Sequence, residues 1–260
     1  MPFVSFKNTN TFYKVQGKGK TNVVLLHGFL ESSEIWKEYS KALSKHFTVI
    51  SIDLLGHGNS QSVGYVHTMD EMAEAVNTVL KELDVRKVVL VGHSLGGYVS
   101  LAFAENYPDK MKGLCMFNST ALSDSEQKKE DRKRAVEVVK QNHELFIKVA
   151  IPNLFADQER HAKEIKRILK FALKTSKQGV IAAISGMMQR PNREIILKFV
   201  PCSTFYVIGK RDMVVPYEVA IEQSQLNENG SYYLSEEGSH MCFFEDPQAY
   251  SHLKKFIASC

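Results

Sequence analysis

The chain has 260 residues, with 44% hydrophobic and 24% charged side chains and a formal net charge of +4. That length holds one substantial core, and the charge is too small to imply a nucleic-acid partner, which would call for a clustered basic face. Lysines and arginines do crowd between Lys128 and Arg134 and between Arg160 and Lys177, but acids are mixed into both stretches, as on a solvated helix face.

From the N-terminus, residues 4–6 and 11–15 alternate and predict an opening hairpin. Short apolar runs then recur at residues 23–26, 49–52, 88–91, 114–117, 205–208 and 232–234, each reading as a strand. Helical stretches separate most of them. One covers residues 68–83, opening with Thr68 and Glu71 as a capping box and setting Met72, Val76, Val79 and Leu83 on one stripe. Another, residues 95–107, lacks alternation and ends before Pro108. The last takes Asp246 as N-cap and Pro247 as first helical residue, and buries Tyr250, Leu253 and Phe256 or Ile257. Strands alternating with helices predict an α/β fold, a mostly parallel sheet covered on both faces. Between residues 119 and 199 the alternation stops and amphipathic helices replace it. Roughly eighty residues inserted between two core strands, at the end where ligands bind in open α/β sheets, predict a helical cap over a site. The expected division is a core of residues 1–118 and 200–260 with a cap of residues 119–199, and no linker between them.

The first six residues lack a basic segment followed by an apolar core of export length. No apolar stretch approaches the ~20 residues needed to span a bilayer. Cys115, Cys202, Cys242 and Cys260 form no C-x-x-C pair and no metal-ligand spacing. Free thiols in a cytoplasmic, reducing setting are expected, with no metal site and no membrane partner.

The chemistry centres on Gly92-His93-Ser94-Leu95-Gly96, a G-x-S-x-G pentapeptide between a strand and a helix. Such a turn is sharp enough that side chains at either glycine would strike neighbouring backbone, and it pushes the serine hydroxyl into the open. A serine needs a base to take its proton, and the base needs a partner that fixes its tautomer. Asp212 follows the strand at residues 205–208, and His240 follows the next strand, at 232–234. Both loops open at the same end of a parallel sheet as the serine turn, so the three groups can converge. Donors for a developing oxyanion are expected from the backbone N–H of Leu95 and of Phe29, in the loop after residues 23–26, where Gly28 lets the chain turn inward.

The chain resembles the α/β-hydrolase superfamily along nearly its whole length. The resemblance rests on His27-Gly28-Phe29, Asp53-Leu54-Leu55-Gly56-His57-Gly58-Asn59-Ser60, the pentapeptide with Gly97, Gly209-Lys210-Arg211-Asp212-Met213-Val214-Val215-Pro216, and Gly238-Ser239-His240. It implies an eight-stranded sheet with one antiparallel strand, helices on both faces, a variable cap after the sixth strand and no cofactor. Residue by residue, it makes Ser94 the nucleophile, Asp212 the triad acid, His240 the base, and Phe29 and Leu95 the oxyanion-hole amides. Size and loop wording are similar to small carboxylesterases, enol-lactonases and cofactor-free haloperoxidases. A serine hydrolase acting on a small ester is the expectation. Lactones, thioesters, peracids and carbon–carbon bonds are alternatives for the same three groups, and a ligand-binding receptor on this scaffold is the alternative from another class. Oligomeric state is not legible.

Other residues invite roles. Leu30, Leu122, Leu154, Phe155, Met187 and Met188 are candidates for an apolar acyl pocket, against simple packing of cap helices, and Arg190 for a substrate carboxylate, against a surface ion pair. His93, His27 and His57 read as scaffold and Cys242 as packing. Gly19-Lys20-Thr21 is not a phosphate loop, because Lys14 stands where the first glycine is required and a strand follows.

Overall fold

The computed structural model describes residues 2–260. Eight strands form one sheet: β1 (Phe3–Phe6), β2 (Thr9–Gln16), β3 (Asn22–Leu26), β4 (Thr48–Ile52), β5 (Val88–His93), β6 (Met111–Phe117), β7 (Ser203–Gly209) and β8 (Gly230–Ser235). Their order is β1-β2-β4-β3-β5-β6-β7-β8. Only β2 runs against the rest, pairing antiparallel with β1 and with β4. The apolar runs read from sequence are these strands, and β3, β5 and β6 are buried almost throughout because helices cover both faces.

The helices are α1 (Lys37–Leu43), α2 (Met69–Glu82), α3 (Leu95–Asn106), α4 (Glu126–Ala150), α5 (Ala162–Ala172), α6 (Lys177–Gln189), α7 (Glu194–Phe199), α8 (Tyr217–Ser224), α9 (Cys242–Glu245) and α10 (Pro247–Ser259). Thr68 caps α2 by accepting from the Glu71 amide, and Asp246 caps α10 with Pro247 in its first turn. Between β6 and β7 the chain runs through α4 to α7, with no strand. The α4 segment is broken at Asn142 (φ −149°, ψ 83°), whose side chain accepts from the Leu145 amide and caps the second half. The Arg193 guanidinium, just before α7, pairs with Asp70 of α2 at 2.7 Å and Glu105 of α3 at 2.7 Å, tying this end of the insertion to the core.

Helix α6 lies directly on the loop that precedes α2. The His67 amide donates to the Ala182 carbonyl at 3.0 Å, and a Cβ on Gly186 would stand 1.7 Å from the His67 carbonyl oxygen. Only a residue without a side chain permits that approach. Gly186→Ala is therefore expected to destabilise the protein by about 1–3 kcal/mol through overpacking, and to raise amide exchange across α6. Urea unfolding with hydrogen-exchange mass spectrometry measures both; an unchanged midpoint with unchanged exchange would contradict this seating.

Candidate active site

The site begins with backbone geometry at the centre of the sheet. Strand β5 lies between β3 and β6, with Gly92 opposite Leu26 on one side and Met116 on the other. Its chain reverses at Ser94 (φ 49°, ψ −114°) and enters α3. A Cβ on Gly92 would lie 2.3 Å from the Gly96 carbonyl oxygen, and one on Gly96 would lie 2.5 Å from that of Leu26. These are the collisions the pentapeptide reading anticipates. Positive φ at a non-glycine costs about 1–3 kcal/mol, and the Ser119 hydroxyl, donating to the Ser94 carbonyl at 2.8 Å, helps hold the turn.

Asp212 sits in the loop after β7 and His240 in the loop after β8. The His240 Nδ1–H donates to Asp212 Oδ2 at 2.8 Å. That oxygen also accepts from Asn118 Nδ2 at 3.0 Å, while Oδ1 accepts the Val214 and Val215 amides at 2.7 and 3.1 Å. With these four donors around it the carboxylate is fixed in place and the imidazole keeps Nε2 free. Burial pushes the Asp212 carboxyl up, but the His240 ring and the two amides outweigh it and hold it below the usual aspartate value. Burial pushes His240 down; Asp212, seconded by Glu31, outweighs that and lifts it above the ordinary histidine value.

A small cavity of about 100 Å³ joins these loops to the inserted helices. Ser94, His240, Phe29, Leu30, Glu31 and Val214 line it from the core side, with Tyr98 of α3. Arg132, Ala150, Leu154 and Met187 close it from the insertion. The Phe29 and Leu95 amides donate to no acceptor among the described residues. A wider groove of about 650 Å³ opens near Ser203 and Asn229, at the amino ends of β7 and β8, at the opposite ends of the strands from this hydroxyl.

Of the candidate pocket residues, Leu30, Leu154 and Met187 line the cavity and four do not. Phe155 is buried against His161 and Phe244 instead. Leu122 offers its carbonyl to Arg190 Nε, and Met188 is half-buried on another face of α6 than Met187. Arg190, whether expected at a substrate or in a surface ion pair, is 6% exposed: it lies over the Tyr98 ring at 4.0 Å and pairs with Asp124 at 2.9 Å. Apolar character and family resemblance do not say which helix face looks inward.

Five cavity residues, Glu31, Tyr98, Arg132, Ala150 and Val214, escaped the sequence reading, and two of them are charged. Arg132 was absorbed into a basic stretch that looked uniformly solvated. Glu31 is 1% exposed; its Oε2 accepts the Gly28 amide at 2.6 Å and its Oε1 lies 3.3 Å from His93 Nε2, off the line of a hydrogen bond. Burial drives this carboxyl up, yet the His93 and His27 rings and the Gly28 amide together hold it below the ordinary glutamate value. An acid following His27-Gly28-Phe29 in a loop off a buried strand was the available signal. His27 and His57 do shape loops: His27 Nε2 accepts from the Leu54 amide at 2.9 Å, and His57 Nδ1 meets the Leu55 carbonyl at 3.1 Å.

Among known proteins, a family profile described as the alpha/beta hydrolase fold matches residues 21–158. The solved structure of a thermophilic esterase from Thermogutta terrifontis, with malate bound, is 30% identical, with a TM-score of 0.91 over 96% of this chain and 94% of that one. The enol-lactonase from Burkholderia xenovorans superposes with a TM-score of 0.90 at 20% identity, over all of both chains. A pimeloyl-[acyl-carrier protein] methyl ester esterase of Wigglesworthia glossinidia brevipalpis is 23% identical over 95% of this chain and 96% of its own. Other curated relatives are longer: an uncharacterized protein of Mycobacterium bovis is 31% identical over 47% of this chain but only 36% of that one. Profile, topology and whole-length similarity agree that the chain belongs to the α/β-hydrolase family.

Proposed function

We propose that the protein is a serine esterase that cleaves small carboxylic esters through an acyl-enzyme. The observation that carries this reading is the Asp212–His240 pair, whose imidazole shares a cavity with the Ser94 hydroxyl on a strained strand-to-helix turn. In the reading, His240 Nε2 takes the Ser94 proton as Oγ attacks the ester carbonyl, and Asp212 stabilises the imidazolium. The Phe29 and Leu95 amides receive the oxyanion. His240 returns the proton to the departing alcohol, then activates water to release the acid. No cofactor enters any step. Residues 119–199 act as the cap, and the small cavity favours a short acyl chain. Four unpaired cysteines favour a reducing, cytoplasmic setting. A panel of esters, thioesters, lactones and amides separates ester cleavage from the related reactions open to the same groups.

Ser94→Ala is expected to remove turnover of short p-nitrophenyl esters and labelling by a fluorophosphonate probe, with the melting temperature nearly unchanged. Wild-type activity in that variant would end the reading. Asp212→Asn, which loses the imidazole's orienting acceptor, should lower kcat by about 10⁴ with KM little affected, measured by steady-state kinetics.

The pH profile follows from the raised His240 value. The base must be neutral to act, so the acid limb of kcat/KM should fall above about pH 6.5, the ordinary histidine value. Glu31→Gln removes a negative neighbour of His240 and should move that limb to lower pH. Stability runs the other way. A raised histidine contributes most below its unfolded value and loses this as pH rises through the folded one; a depressed aspartate loses its share as pH falls. The pair should therefore stabilise most between about pH 4 and 6.5, below the activity plateau. Urea midpoints of wild type and Asp212→Asn across pH check the window; a difference that grows above pH 8 would contradict it.

A further inference from the structure

Asp124 is fully buried and carries two guanidinium partners. Arg132 donates from Nε and Nη2 to its two oxygens, and Arg190 Nη1 meets Oδ1 at 2.9 Å. Burial pushes the Asp124 carboxyl up, but the two arginines outweigh it and keep it ionised. One carboxylate cannot balance two permanent cations, so this corner holds an excess positive charge. Arg190 is enclosed: it is 6% exposed, donates to the carbonyls of Leu122 and Met187, and lies on the Tyr98 ring. Arg132 differs. It lines the cavity that holds Ser94 and His240, and its Nη1 has no hydrogen-bond partner among the described residues. One turn earlier on α4, Lys128 donates to the Val214 carbonyl at 3.1 Å and adds to the field. The acid on the facing wall, Glu31, accepts from the Gly28 amide and lies 3.3 Å from His93 Nε2.

We propose that Arg132 is the seat for an anionic group on the substrate, so that the site takes a short ester carrying a carboxylate. The inference rests on the esterase reading and narrows it. Asp124 occupies Nε and Nη2 and leaves Nη1 unpaired on a residue that lines the cavity, where a carboxylate can accept charge-assisted hydrogen bonds from it. Binding an anion there offsets the uncompensated charge.

The test compares esters of matched size. Monomethyl succinate carries the acid on the acyl side, acetoxyacetate carries it on the alcohol side, and methyl butyrate carries none. Wild-type enzyme is expected to prefer one acidic ester over methyl butyrate in kcat/KM by roughly ten- to a hundredfold, with the preference shrinking as salt rises. Arg132→Met should abolish that preference, and Arg132→Lys should keep part of it. Because Arg132→Met leaves Asp124 with one partner and can unfold, wild-type binding is measured as well: succinate should bind more tightly than succinamide in calorimetry, and compete with substrate. Equal or better turnover of methyl butyrate, with succinate no tighter than succinamide, would overturn the inference and leave the esterase reading standing. Loss of that reading shows separately, as Ser94-independent turnover.

Discussion

The turn at Ser94 is the constraint on which the rest of the site depends. Strand β5 is buried in mid-sheet and must reverse into α3 within one residue, which forces Ser94 to φ 49°. Glycines on either side exist because carbonyl oxygens of Gly96 and Leu26 occupy the space of their side chains. Two other non-glycine residues with positive φ lie beside it: Leu30 in the loop after β3, and Asn118 just past β6. Three of the six such residues among those described thus sit at the ends of the three adjacent central strands, where packing from both faces can hold the strain; the others, Lys7, Asn8 and Asp84, are in turns elsewhere. The result is a hydroxyl and a first helical amide displayed together, with an unused amide from the neighbouring loop.

Buried charge is the second organising element. Asp212, Glu31 and Asp124 are three carboxylates shielded from water, each kept below its ordinary value by a different set of partners. Asp212 uses an imidazole and two amides, Glu31 two histidine rings and one amide, Asp124 two guanidiniums. Removing one partner from a buried pair costs about 3–5 kcal/mol, so these arrangements fix the walls of the cavity firmly. Asn118 belongs to the same network: its amide reaches both Asp212 Oδ2 and the Ser239 carbonyl, linking the loops that carry the acid and the histidine.

The core was legible because its signals are local. Apolar runs located the strands, Thr68 and Asp246 announced helix starts, and the G-x-S-x-G turn marked the hydroxyl. Asp212 and His240 could be picked because each follows a strand, and parallel strands end on one side. The cavity's roof was another matter. Leu30, Leu154 and Met187 are legible, but Arg190, read either as a substrate contact or as a surface ion pair, is a buried ion-pair partner of Asp124, and Arg132 is the arginine that lines the cavity. Amphipathic helices that pack on a core and on each other bury more than one face, so periodicity alone leaves their orientation open. Arg132 looked like part of a solvated stretch because its buried partner, Asp124, lies outside the helix. Glu31 was passed over because acids in loops are usually exposed, and only the tertiary approach of His93 makes it otherwise.

How the roof is attached bears on how the cavity is reached. Near its middle, the Glu245 carboxylate accepts the Ala156 amide at 2.9 Å and the Ser239 amide at 2.6 Å, locking the segment after α4 to the loop that carries His240. Further along, α6 is seated on His67 without space for a side chain, and Arg193 bridges α2 and α3. Helix α4 has only Val139 and Ile147 buried and is interrupted at Asn142. Arg132 lies before that break and Ala150 after it, both on the cavity wall. The cavity of about 100 Å³ is narrow, and widening it for a larger substrate means moving part of its wall. The locked segments resist that. The α4 segment, although interrupted at Asn142, is tied on both sides of the break, by Arg132 to Asp124 before it and by His143 Nε2 to the Thr175 carbonyl at 2.8 Å after it, so opening there would cost those contacts as well.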